Sequence, residues 1–112
     1  MDAQEFQRHA DSSLEELKQL LMDAESTAAS FEVEEQAGGA LHLSFEEPPG
    51  RFVISPNSAA RQIWISALST SFKLDWSNAE EDFVLSKTGE TLKPLVSRLM
   101  NEQMGEPLIH FE

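Results

Sequence analysis

Phe6, Ala10, Leu14, Leu17, Leu21 and Ala24 recur at steps of three and four residues. That spacing puts them on one side of an α-helix and predicts a helix from about Gln4 to Glu25. Such a stripe needs an apolar surface to cover it, and the rest of the chain must supply one. Ser13 and Leu20 flank the stripe, and His9 sits at its margin. Asp11 and Glu15 fall on the other side, in the column of Lys18 and Met22, with Glu16 and Asp23 in an adjacent column. The run Ser26-Thr27-Ala28-Ala29-Ser30 has small residues and no period, so the helix is expected to end there.

Short alternating segments follow. Phe31-Glu32-Val33-Glu34 alternates, and Gly38-Gly39 supplies a turn that accepts positive φ. Leu41 to Phe45 alternates again, and Pro48-Pro49-Gly50 is expected to turn the chain. Further strands are expected at Arg51–Ser55, Gln62–Leu68, Phe72–Trp76 and Phe83–Leu85. In the fourth strand Ile63 and Ile65 point one way, and Gln62, Trp64 and Ser66 the other. Only the isoleucine face is plainly apolar. Trp64 is then either a contact residue or an indole under a neighbouring loop. His42 falls on the polar side of its strand, and Trp76 on the core side of its own.

A turn at Lys87–Glu90 leads to Thr91, a helix N-cap by residue type. The second helix is expected from about Leu92 to Met104, with Leu92, Leu95, Val96, Leu99 and Met100 on its apolar face. Pro94 fits its first turn, and Gly105 its stop. The tail Pro107–Phe111 is apolar enough to pack back. Helix, about six antiparallel strands, helix is the pattern of an α+β two-layer sandwich, with both helices on one face of the sheet. Residues 1–112 are expected to form a single domain.

Composition narrows the chemistry. There is no cysteine, which excludes disulfides, thiolate metal sites and cysteine nucleophiles. Acids outnumber bases by 20 to 8, for a formal charge of −12. That field repels nucleic acid and anionic membranes, and it attracts cations and basic protein surfaces. No apolar run reaches membrane-spanning length, and the N-terminus has no signal-peptide pattern. The chain is expected to be complete and cytoplasmic. Asp11 and Glu15 lie four residues apart on one helix face, within reach of one hard cation. No nucleophile–base–orienter set is legible, so an enzyme is not expected.

Several pieces in order resemble a known family. They are Glu5-Phe6 with Ala10-Asp11, Gly38-Gly39, Gln62-Ile63-Trp64, Asp75-Trp76, Gly89-Glu90-Thr91 and Gly105-Glu106. Their order and spacing resemble the frataxin family, in its short bacterial form, over about the full chain. The resemblance implies a helix–sheet–helix sandwich and a role in iron–sulfur cluster assembly. It implies binding to the cysteine desulfurase and its scaffold protein, by a monomer. It also implies weak surface binding of iron, as Fe2+ or Fe3+, on an acidic ridge. The matching ridge positions carry Asp11, Glu15, Glu16, Asp23, Glu25, Glu32 and Glu34. The implied partner contacts are Gln62, Trp64 and Ser66 on the open sheet, with Glu15 and Glu16. Lys18, Gln19 and Met22 stand where several bacterial relatives carry further acids, and Gln7 where such relatives can carry a His. The alternatives are an iron carrier with ferroxidase-like activity and an acidic interaction domain unrelated to iron.

Overall fold

Asp2 starts the first helix. Its carboxylate accepts the Glu5 amide at 2.8 Å, and that hydrogen bond holds the carboxyl below its ordinary value. One of the open amides of the first turn is thereby satisfied. A computed structural model describes residues 1–28 and 31–111 of the chain. In it, α1 spans Ala3–Ala28, past the expected end at Glu25. The Ser26 hydroxyl donates to the Asp23 carbonyl at 2.8 Å, and the Thr27 hydroxyl to the Ala24 carbonyl at 3.1 Å. Back-bonding of this kind satisfies the two hydroxyls within the helix itself. Ala29 and Ser30, the rest of the expected stop, lie outside the described residues.

The strands are β1 (Phe31–Glu35), β2 (Leu41–Glu46), β3 (Pro49–Asn57), β4 (Gln62–Ala67), β5 (Thr70–Ser77), β6 (Asp82–Leu85) and β7 (Glu90–Thr91). They pair in sequence order as one antiparallel seven-stranded sheet. The expectation of about six strands missed β7, whose two residues are too few to show alternation. Pro49 and Gly50 belong to β3 and not to a turn, since a proline is tolerated at the start of a strand. Leu68 is not a strand residue. It forms a two-residue turn with Ser69, at φ 53° and 61°. Asn-Gly is the usual sequence there, so the turn carries no sequence signal. Gly38 and Gly39 do take positive φ, 80° and 85°, between β1 and β2.

The apolar sides of β1 to β6 face the helices. Leu41, Ile54 and Ile65 form one buried cross-strand row that continues to Phe72. Against this face lie Phe6, Ala10, Leu14, Leu17 and Leu21 of α1, all buried. The Phe6 ring meets Phe83 edge-on at 5.9 Å, and Phe83 meets Trp76 at 5.2 Å. The second helix, α2 (Leu92–Met104), adds Leu92, Leu95, Val96, Leu99 and Met100. Thr91 occupies its N-cap position but makes no side-chain capping bond. Arg98 instead ties the helix back to Glu90 of β7, at 2.7 and 2.9 Å. Gly105 ends α2 in the left-handed conformation at φ 73°. The tail then folds back. The Asn101 side chain donates to the Ile109 carbonyl and accepts its amide, both at 2.8 Å. The Phe111 amide donates to the Ser97 hydroxyl at 2.7 Å. Ile109 and Phe111 are buried, while Leu108 is exposed.

Strand parity makes a stability prediction. Ile65 is 1% exposed and Trp64, one step along β4, is 36% exposed. Ile65→Ala should cost about 2–5 kcal/mol in equilibrium urea unfolding. Trp64→Ala should cost about 1 kcal/mol or less, as for a surface change. Equal losses would contradict this register.

Candidate functional site

The sheet has helices on one face only, so the other face is open. On it β4 presents Gln62, Trp64 and Ser66 together. Trp64 lies outside the core, flanked across the strands by Ser55 and Lys73. The Lys73 ammonium sits 4.7 Å from the centre of the indole, a cation–π distance. The indole N–H donates to the Gln62 side-chain carbonyl at 2.8 Å. The Gln62 amide in turn donates to Asp75 at 2.9 Å. Further along the same face, Arg51 donates to His42 Nδ1.

The acids of α1 divide between its two flanks. Asp11 and Glu15 lie on the flank above β1, where they line a small cavity with Leu14, Glu35 and Gly39. Gln7 donates to Asp11 at 2.7 Å. Lys18 bonds Glu15 at 2.9 Å and reaches Glu35 at 3.5 Å. The Lys18 hydrogen bond, then that of Gln19, holds the Glu15 carboxyl below its ordinary value. The same bond to Glu15 raises Lys18. Glu25 accepts the Val33 amide at 3.0 Å, so its carboxylate caps the outer edge of β1. Glu32 and Glu34 point to the open face by alternation from Phe31 and Val33. Glu16 is on the opposite flank, 3.7 Å from Lys93 of α2. Asp23 is exposed to solvent. Among the described residues, no three His, Asp or Glu side chains group so as to hold a metal ion.

The Glu16 flank leads to a second, polar cavity lined by His9, Ser12, Ser13, Trp76, Asn78 and Glu81. The His9 ring stacks on Trp76 at 3.9 Å, and the Trp76 N–H donates to Asn78 at 2.9 Å. Nearby, burial pushes the Asp82 carboxyl above its ordinary value, against the Phe83 amide that it accepts at 2.7 Å.

The family model for the frataxin-like domain matches residues 1–106. The chain belongs to the frataxin family. The iron-sulfur cluster assembly protein CyaY of Stutzerimonas stutzeri is 32% identical over 74 residues, which are 66% of each chain. That of Aeromonas hydrophila is also 32% identical over 74 residues, 66% of this chain and 68% of its own. The mitochondrial frataxin of Caenorhabditis elegans is 30% identical over 96% of this chain and 80% of its own. These alignments with the bacterial proteins thus span about two thirds of their lengths. The frataxin of Psychromonas ingrahamii superposes with a TM-score of 0.72 over 95% of this chain and 94% of its own. At 20% identity that likeness shows the fold alone. No helix among the described residues is long and apolar enough to cross a membrane.

Three members of these surfaces are absent from the sequence-level site. Lys73 and Asp75 become neighbours of Trp64 and Gln62 only through the β4–β5 register. The signal that fixes this register is the two-residue turn, hidden by its Leu-Ser composition. Glu35 meets Lys18 only because α1 runs along β1.

The Asp82 shift has a sign that can be measured. The cost of an ionised, half-buried carboxylate is full above its raised folded value. It fades as pH falls through that value toward the ordinary 3.8. Asp82→Asn keeps an acceptor for Phe83 and removes the charge. It should raise the urea midpoint at about pH 7, with a gain that shrinks by about pH 3. An equal gain at both would contradict burial of charge as the cause.

Proposed function

We propose that this chain works in iron–sulfur cluster assembly, as a regulatory protein that binds the cysteine desulfurase and its scaffold. The observation that carries the proposal is the frataxin-like match over residues 1–106. The bacterial relatives that the chain resembles are named for this process. Two surfaces suit it to binding. One is the acidic flank of α1 and β1, with Asp11, Glu15, Glu25 and Glu35, on a chain of charge −12. Basic protein surfaces are drawn to such a field. The other is the open sheet with Trp64, an aromatic outside the core and of the type enriched at interface hot spots. A cytoplasmic monomer belongs with this reading.

Iron enters it as weakly held cargo. Carboxylate oxygens take hard cations with loose geometry. Here Gln7, Lys18 and the Val33 amide already engage Asp11, Glu15 and Glu25. A cation must compete with these contacts, which favours the partner role over an iron carrier or ferroxidase. Titration calorimetry with ferrous and ferric iron separates those readings. An acidic domain unrelated to iron is distinguished by a pull-down against the desulfurase, which it would fail.

The charge account has a direct test. Glu15 and Glu16 lie off the buried stripe, so Glu15→Lys with Glu16→Lys should leave the fold intact. Affinity for the desulfurase should fall about tenfold or more, since facing like charges costs several kcal/mol. Wild-type binding should weaken as salt rises. Binding unchanged at about 1 M salt, where screening acts beyond about 3 Å, would contradict an electrostatic contact.

A further inference from the structure

We infer that Asp75 is a positioning residue, which acts through Gln62 to hold Trp64 in its partner-binding orientation. The inference rests on the partner role proposed for Trp64. Its basis is the direction of two hydrogen bonds. An ionised carboxylate only accepts. Asp75 at 2.9 Å therefore takes the NH2 end of the Gln62 amide. The carbonyl end must then face the other way, and there the indole N–H of Trp64 donates to it at 2.8 Å. Asp75 thus sets which end of Gln62 meets the indole. With that acceptor gone, the bond that fixes the NH2 end is lost, and of these two bonds only the one to the indole is left to orient the amide. A flipped Gln62 would present NH2 to an N–H donor, and the indole would be released. Lys73, on β5, places its ammonium over the indole ring, 4.7 Å from the ring centre, and so holds it from that face.

Two consequences follow for a partner. The only polar atom of the indole is already used, so Trp64 offers its ring and no hydrogen-bond donor. Its orientation is also set before contact, which avoids the cost of immobilising a side chain on binding. Asp75 itself is exposed and outside the core, so its removal spares the fold.

The test is calorimetric titration of the purified cysteine desulfurase–scaffold complex with wild type, Asp75→Ala, Asp75→Asn and Gln62→Ala. Asp75→Ala and Gln62→Ala should each raise Kd about 2- to 10-fold, the cost of ordering one side chain. Asp75→Asn keeps an acceptor but adds a donor, so it fixes the amide less firmly and should restore the affinity only in part. In the Trp64→Ala background Asp75→Ala should have no further effect, because its influence passes through the indole. In NMR spectra the Trp64 indole N–H should exchange with water faster in Asp75→Ala than in wild type. Should Trp64→Ala weaken binding while Asp75→Ala and Gln62→Ala do not, the positioning role is wrong and the partner surface stands. Should Asp75→Ala still weaken binding without Trp64, the residue touches the partner directly and the inference fails. Should Trp64→Ala leave Kd unchanged, the partner surface itself is wrong, and the inference falls with it.

Discussion

The fold depends on covering one face of the sheet. Each strand turns alternate side chains to opposite sides, so a seven-stranded sheet produces a wide apolar face in one step. The stripe of α1 and that of α2 together cover it, with Phe6 edge-on against Phe83 and with Leu95 and Leu99 of α2 buried as well. Burying a large apolar side chain is worth about 1.5–3 kcal/mol. No strand makes sense without this layer, since a bare meander of this size has no second face to close on. The same arithmetic of two faces leaves Gln62, Trp64 and Ser66 uncovered. The surface proposed for partner binding is thus a by-product of how the core is built.

Most of this was legible in the residues. The 3.6-residue period marked both helices, and α2 matches at both ends, Leu92 and Met104. Alternation set the face of every strand that is long enough to alternate. What escaped has physical causes. β7 has two residues and no period. The β4–β5 turn uses Leu68 and Ser69 in a conformation that usually calls for Asn-Gly. α1 outlasts its apolar stripe into Ser26 and Thr27, whose hydroxyls bond back to its own carbonyls and leave no apolar period to read.

The charged site was less legible than the fold. A helical wheel places Glu15 and Glu16 in adjacent columns, but it does not say what stands beside each. The tertiary structure sends Glu15 toward β1 and Glu16 toward α2. It also shows that several acids are already engaged. Lys18 bridges Glu15 and Glu35 across two elements, and Glu25 caps the β1 edge. A carboxylate that blunts a sheet edge serves the fold as well as the surface. Exposed ion pairs such as these are worth little to stability. Their effect lies in the local field, which is less negative above β1 than the count of acids suggests.

The central claim is that partners meet the bare sheet face and the acidic outer side of α1, and not the outer side of α2. An NMR titration of labelled protein with the unlabelled desulfurase–scaffold complex tests it most directly. The account predicts that signals of Ser55, the Trp64 indole and Lys73 shift or broaden together with those of Asp11 and Glu15. Arg98 and Glu102, on the outer side of α2, should stay unchanged. Perturbations confined to α2 and the tail, with Trp64 silent, would contradict it.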